Sequence, residues 1–458
     1  MGIRIDILKK VALSERGDYH HLRPLSVFID SRKHTPNGLF IPIVGERFDG
    51  HDFLEEAIKN GAVCALWQKD RPVPAQLAHD FPLFFVADTT KALQQIASER
   101  RREVDPTVVA VTGSNGKTTT KDMIASVLAT SFKTQKNVGN LNNHIGLPLT
   151  LCALNDDCEV IVVEMGMNHF GEIQVLSTIA EPDIAIITNI GESHIEFLGS
   201  REGIAKAKLE ITEGLKDDGW LIVDGDEALL RDVTLKQKDA RVSRCGFGAR
   251  NDWVISDVQV NENGTAFKIN GEALHIPIMG RHNVKNAAYA FVVARRLGMA
   301  QEAIRTALTK LKITGMRLEA DRGPAGTLLI NDAYNASPTS MKAALETLSA
   351  LTRYKRKVAV LGDMYELGHE EKAMHEQVAD HITDHITHLV TIGDKGVWIA
   401  EAARKKSLAT DIRSFKTKEE ALPYLQALAT SDTVMLFKAS RRAELETLVA
   451  SLKGGNGS

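Results

Sequence analysis

Short apolar runs punctuate the chain and alternate with longer stretches of helical periodicity. Residues 108–111, 160–163, 184–188 and 221–223 are runs dominated by Val, Ile and Leu. Such runs, bounded by polar turns, read as strands buried on both faces. Helical patterns lie between them, over 117–130, 172–180 and 200–215. This alternation predicts a mostly parallel sheet with helices on both faces. Ligands in such sheets bind at the carboxyl ends of the strands. Toward the C-terminus the alternation returns, with strands expected at 327–330, 358–361, 389–392 and 434–437. Toward the N-terminus the pattern is mixed. GLFIPIVG and AVCALW read as buried strands, and helices are expected over 52–60, stopped by Gly61, and over 90–103. The second helix runs into ERRREVD, whose charge predicts a solvated helix end and linker.

The chain has 458 residues, which suggests about three domains. The pattern places them at 1–104, 105–312 and 313–458. The expected fold class is α/β throughout. A small mixed N-terminal domain precedes a central P-loop domain with a mostly parallel sheet, and a smaller Rossmann-like domain follows. The tail GGNGS carries no pattern and is expected to be flexible. A net charge of -3 gives no general attraction to nucleic acid or an anionic membrane. No apolar run approaches the ~20 residues that cross a bilayer, and MGIRIDILKK has no apolar signal core. Four cysteines, with no C-x-x-C pair, fit a reduced cytoplasm.

The chemistry concentrates in VVAVTGSNGKTTTK. It reads G-x-x-G-K-T, shorter than the common G-x-x-x-x-G-K-[ST] loop. A strand before it and a helix after it make it a nucleotide site. Thr112, Gly113, Ser114, Asn115, Gly116 and Thr119 would wrap the phosphates of ATP. Lys117 would supply a mobile cation and Thr118 a hydroxyl for Mg²⁺. VIVVEMGMN ends a strand on Glu164, which suits a metal carboxylate; a salt bridge or helix cap is the plainer alternative. His194 follows another strand and reads as a metal ligand beside that site, or as a structural histidine. Lys208, on its own, reads as a surface lysine. Asn140, Asn142 and Asn143 combine donors and acceptors without charge and suit a substrate bearing amides and sugars, or simply a turn. Asn283 and Asn286 open an alanine-rich helix and could be caps. His381 and His385 have i, i+4 spacing, but nothing around them completes a zinc site.

TGSNGKTTTK, GNLNNHIGLPLTL, EMGMNHFGEI, NIGESHIEFLGS, GRHNVKNAA, TGMRLE and INDAYNASPTSM occur in this order. Together they resemble the Mur ligases, ATP-dependent amide-forming enzymes of peptidoglycan synthesis. DSRKHTPNGLFIPIVGERFDGHDFLEEAIKNGA is similar to the family's uridine-binding domain, and AVLGDMYELG also fits the family. The resemblance covers nearly the whole chain. It implies ATP and Mg²⁺ as cofactors, UDP-N-acetylmuramoyl-tripeptide as acceptor, D-alanyl-D-alanine as incoming amine, and a monomer in the cytoplasm. It implies an acyl phosphate as intermediate. Lys117, Glu164, His194 and Lys208 would be catalytic, with a second Mg²⁺ near His194 and Lys208 carboxylated to a carbamate. Asn283 and Asn286 would approach adenine. Arg317 would reach the ATP phosphates from the third domain, with Asp332 and Asn335 near ribose and adenine. Ser31 and Arg32 would hold the uridine nucleotide. Asn140, Asn142, Asn143 and Asn168 would touch the acceptor, and Asp363, Met364, Lys438, Ser440 and Arg441 the dipeptide. LFKASRR departs from the family's Lys-Gly-Ser form: a left-handed backbone would disfavour Ala439. His375 matches a family position and is expected in domain-interface packing.

The alternatives are a ligase of the same superfamily that adds one amino acid, and folylpolyglutamate synthase. The latter usually continues Gly-Lys-Gly-Ser, where this loop reads Gly-Lys-Thr-Thr. An ATP-driven switch without ligation is a third. Nucleotide held between domains predicts closure on binding, which would keep water from a labile intermediate.

Overall fold

The computed structural model describes residues 2–23, 25–311 and 315–454. The expected boundary at 312/313 and tail residues 455–458 lie outside the described residues. The chain forms three α/β domains, each around its own sheet.

The N-terminal sheet has five strands in the order Ser14–Arg16, Leu83–Val86, Ala62–Gln68, Gly38–Phe40, Ser26–Phe28. Only Ser14–Arg16 runs antiparallel to its neighbour. Of GLFIPIVG, only Gly38–Phe40 is strand. The helix expected over 52–60 is Leu54–Lys59, entered through a 3₁₀ turn at Gly50–Phe53. The helix Thr89–Val104 then leads into the central sheet, and Asp105 ends it in a left-handed conformation.

The central sheet has nine strands. Thr107–Thr112 lies between Val160–Glu164 and Ile184–Ile187, parallel to both. The carboxyl ends of these three strands therefore open on one edge, as the pattern predicts. The sheet continues through Trp220–Asp224 and Arg241–Gly246 into Trp253–Asn261, Gly264–Ile269 and Glu272–Ile276. The last three form an antiparallel arm that the sequence reading missed. The helix expected over 200–215 stops at Leu209. There the chain turns and Glu210 accepts from the amides of Gly171 and Gln174, capping the helix Glu172–Ala180. Gly214 then packs so closely that a Cβ would lie 2.1 Å from the Ser177 carbonyl.

The C-terminal sheet has six strands, parallel except for its edge strand Glu319–Arg322. Its four expected strands all form, as Leu328–Asn331, Arg356–Leu361, His388–Ile392 and Thr433–Lys438. Among the described residues, no helix is long and apolar enough to cross a membrane.

The charged run is solvated only in part: Arg102, Glu103 and Asp105 are exposed, but two of its arginines turn inward. Arg100 and Arg101 are 2% and 3% exposed. Arg101 donates to the carbonyls of Ala180 and Glu181, both at 2.9 Å, and Arg100 to that of Leu154 at 2.7 Å. Their guanidinium groups close the ends of segments in the central domain, a tertiary demand that charge density alone does not reveal. His375 also differs from its expected place. It lies inside the C-terminal domain, accepts from the Met364 amide through Nε2 at 3.0 Å, and stands edge-on to Trp398. His381 and His385 do not share a helix: Glu371–Val378 ends before them.

Candidate active site

The phosphate loop leaves the end of Thr107–Thr112 and opens the helix Lys117–Leu128. Its two glycines are required by geometry. Gly113 (φ 146°) and Gly116 (φ 80°) are left-handed, and a Cβ would lie 1.9 Å from Thr188 Oγ1 and 2.8 Å from Asn286 Oδ1 respectively. The loop is braced from the next strand end: Asn189 Oδ1 accepts from the Asn115 amide, and Thr188 Oγ1 donates to the Asn115 carbonyl. Lys117 Nζ donates to the Gly113 carbonyl at 2.8 Å. Burial pushes its pKa down; Glu164 opposes this and Arg317 adds to it.

Glu164 closes its strand beside the loop. Its Oε2 accepts from Thr118 Oγ1 at 2.8 Å and its Oε1 from Asn142 Nδ2 at 2.9 Å. Arg317 arrives from the C-terminal side, and its Nη2 donates to Thr118 Oγ1 at 3.0 Å. Met316 (φ 61°) and Leu318 (φ 53°) bracket it in left-handed conformations, strain of ~1 kcal/mol or more each, as often stored at functional sites. Tyr334 supports the guanidinium, whose centre lies 4.2 Å from the ring centroid.

His194 and Lys208 lie at the other end of the site. Burial, then the charges of Lys117 and Lys208, pushes His194 down to about 4, so its imidazole is neutral at pH 7. Burial and Lys117 hold Lys208 well below the usual lysine range. Reaction with CO₂ to give a carbamate needs the uncharged amine, and a lowered pKa favours that form. Its surface-lysine reading is overturned: Lys208 is buried. Two polar atoms around the site, Asn115 Nδ2 and Arg317 Nε, are buried without a hydrogen-bond partner, and His194 Nδ1 has only Glu366 Oε2 at 3.2 Å, outside hydrogen-bond geometry. Asn115 and Arg317 line the same cavity, so a polar ligand bound there would satisfy them.

One cavity of about 680 Å³ joins these groups. Ser114 through Thr119, Asn140, Asn142, Asn143, Glu164, Asn168, His194, Lys208, Asn283, Asn286, Arg317, Asp332, Asn335 and Lys438 all line it. Several are already engaged. Asn286 Nδ2 donates to Asn283 Oδ1, while Thr120 Oγ1 donates to Asn286 Oδ1, so the pair also ties two helices together. Asn143 Oδ1 caps the helix Gly146–Cys152. Lys438, expected at the dipeptide, ion-pairs with Asp332 at 2.6 Å and faces the main cavity. Thr112 and Gly113 lie behind the loop, where Thr112 Oγ1 donates to the Met165 carbonyl.

The remaining expected residues lie elsewhere. Ser440 and Arg441 line a smaller cleft of about 180 Å³ with His194, Tyr365 and Arg442. Asp363 turns away from it: its Oδ1 accepts from the amides of Lys395 and Gly396 and caps the helix Gly396–Arg404. Met364 is fully buried. Ala439 is not left-handed, so the expected strain is absent. Ser31 donates to Glu56, and exposed Arg32 pairs with Asp30 at 2.8 Å; neither lines the main cavity. The sequence reading missed Lys121, Asn137, Asn189, His282 and Tyr334. Nothing in the local sequence marks these residues; their roles depend on which strand ends become neighbours.

The residues match three family descriptions: "Mur ligase family, catalytic domain" over 26–101, "Mur ligase middle domain" over 111–294 and "Mur ligase, glutamate ligase domain" over 316–441. The sequence is 46% identical to the UDP-N-acetylmuramoyl-tripeptide–D-alanyl-D-alanine ligase of Bacillus subtilis, covering 93% of this chain and 92% of that one. The chain belongs to the Mur ligase family. This Mur ligase is also 35% identical to the ligase of the same name from Escherichia coli, with 93% of each chain covered. Its fold matches a crystal structure of MurF from Acinetobacter baumannii, with TM-score 0.86, 32% identity and coverage of 99% and 100%. It also matches MurF ligase from Thermotoga maritima in complex with ADP, with TM-score 0.82, 28% identity and coverage of 93% and 97%.

Proposed function

We propose that this Mur ligase joins D-alanyl-D-alanine to UDP-N-acetylmuramoyl-tripeptide, converting ATP to ADP and phosphate. The supporting observation is that one cavity collects the phosphate loop, Glu164, His194, Lys208 and, from another domain, Arg317. Its relatives at 46% and 35% identity carry this activity in their names.

The acceptor carboxylate attacks the γ-phosphorus, forming a P–O bond as the bond to ADP breaks. The dipeptide amine then attacks the acyl carbon, and phosphate leaves with the electrons of the C–O bond while the amine's proton is released, so that the product balances as hydrogen phosphate. Two anions must first approach. At 4 Å and an effective dielectric of 20, each like-charge pair costs about 4 kcal/mol. Lys117 and Arg317 offset this repulsion with fixed positive charge where charge develops. Lys117 is free to swing from the Gly113 carbonyl to a phosphate oxygen. Arg317 has an unpartnered Nε facing the same site.

Thr118 and Glu164 fit Mg²⁺: a hydroxyl and a carboxylate beside the loop. Among the described residues no three His, Cys, Asp or Glu side chains form a cage, as suits a cation that retains waters and phosphate ligands. Bound there, it would neutralise phosphate charge. His194 would offer a second cation its neutral ring, and Lys208, once carboxylated, its carbamate. The smaller cleft, with Arg441 and Arg442, would take the carboxylate of the dipeptide. Ser31 and Arg32 would contact the uridine nucleotide on the N-terminal domain. The three domains would thus divide at about 104 and 312 into acceptor, ATP and dipeptide units.

Phosphate release should require both substrates as well as ATP and Mg²⁺, and the product should be heavier by one dipeptide less water. Release that ignores both substrates would leave an ATPase switch. Release with a single amino acid, but not with the dipeptide, would move the enzyme to another step.

A further inference from the structure

Lys121 is 2% exposed, yet none of the steps above uses it. It sits one turn after Lys117, on the same face of the helix. Its Nζ donates to the Asn137 carbonyl at 2.9 Å and lies 3.8 Å from Glu164 Oε2. Among the described residues it is the one cation ion-paired with Glu164. A buried ammonium costs several kcal/mol unless its partners are well placed, so this position is demanding to maintain.

Asn137, fully buried, extends the contact in two directions. Its Oδ1 accepts from the Glu164 amide at 2.9 Å, and its Nδ2 donates to the Leu141 carbonyl at 2.9 Å. Asn142 closes the ring. Its Nδ2 reaches Glu164 Oε1, and its carbonyl accepts from the Gly166 amide at 2.9 Å. Apolar packing does not hold this loop, since Val138 and Leu141 are 73% and 39% exposed. Its shape therefore depends on a polar ring running from Lys121 through Asn137 and Asn142 to Glu164, the residue that also receives Thr118.

We propose that Lys121 is a positioning residue that couples the nucleotide site to acceptor binding by fixing residues 137–143 against Glu164. The inference rests on the ligase reading of this cavity. Mg-nucleotide seated on Thr118 and Glu164 then tightens the ring, and the ring sets the loop that meets the acceptor.

Two measurements test it. Hydrogen exchange at amides 138–143 of the wild-type enzyme should slow when Mg-ADP is added without acceptor. Calorimetry should show Mg-ADP tightening the binding of UDP-N-acetylmuramoyl-tripeptide about tenfold in wild type. That gain should shrink to about twofold in K121M and recover in part in K121R. A full gain in folded K121M, or no gain in wild type, overturns the proposal. Unchanged loop exchange in a wild-type enzyme that does bind Mg-ADP overturns it as well, and decides the matter if K121M does not fold. A wild-type enzyme that binds no Mg-ADP would instead remove the nucleotide reading, and this inference with it.

Discussion

The N-terminal and central domains meet through an extended shared core, whereas around the cavity the central and C-terminal domains meet through polar side chains, with a smaller apolar contact where Met279 and Val260 join the C-terminal core. At the first junction, Leu93, Ile96 and Ala97 of the helix Thr89–Val104 belong to the same apolar cluster as Leu147, Leu151 and Leu176 of the central domain. Buried Arg100 and Arg101 fasten its end to central-domain carbonyls. At the second junction, Arg317 meets Thr118, Ser337 Oγ donates to Asn115 Oδ1 at 3.3 Å, and Thr339 Oγ1 donates to Glu192 at 2.5 Å. His194 Nδ1 lies 3.2 Å from Glu366 Oε2 without a well-formed hydrogen bond. An apolar seam resists opening because separation exposes its area to water; polar pairs exchange readily with water at little net cost. The polar junction thus surrounds the candidate nucleotide cavity, and the extended apolar junction lies away from it.

The strongest way to break the second junction is Arg317→Ala. Its kcat/KM should fall about 100- to 1,000-fold, the cost of removing one donor aimed at developing charge. Its denaturant midpoint should barely move. Arg101→Ala attacks the first junction and should do the reverse. It removes a buried cation whose carbonyl partners lose their donors, costing about 3 kcal/mol in a urea melt. Equal loss of stability in both variants would erase the distinction.

Acid should act on the second junction. Burial lowers both His194 and His282 to about 4 from an ordinary 6.5. Between those values the unfolded chain takes up protons that the folded chain refuses. Their contribution is fully present above pH 6.5 and lost as pH falls through about 4. A melting temperature that falls over this window should fall less in His194→Gln. The smallest effect is expected at Glu262, on the antiparallel arm, which pairs with Arg353 and accepts from Tyr354 OH at 2.6 Å. Glu262→Gln should cost about 0.5–1 kcal/mol, since the pair is partly open to water.

The two junctions were not equally legible in the sequence. The parallel strands and the phosphate loop announce themselves through β-branched runs and glycine spacing, so the strand ends that build the cavity were foreseeable. The arm at Trp253–Ile276 was readable only in part: V-Q-V alternates and N-E-N-G supplies the turn, but V-I and S-D before them do not alternate. The bulge between Ser256 and Gln259, with Asp257 at φ 51°, interrupts that alternation and hides the strand. Arg100, Arg101 and Lys121 could not be recognised locally. Each is a charged residue on a helix, and only the packing of another segment turns it inward. Asp363 misled for the same reason: a carboxylate after a strand suits a ligand, but here a neighbouring helix takes it.

The most direct test measures one distance across each junction. Spin labels at Lys59→Cys and Lys133→Cys span the first; labels at Lys133→Cys and Lys355→Cys span the second. All three positions are exposed, and the four native cysteines are buried. Adding Mg-ADP with UDP-N-acetylmuramoyl-tripeptide should narrow and shorten the second distance distribution while the first stays fixed. A second distance that does not respond, or a first that moves with it, would contradict a fixed N-terminal junction and a closing C-terminal one.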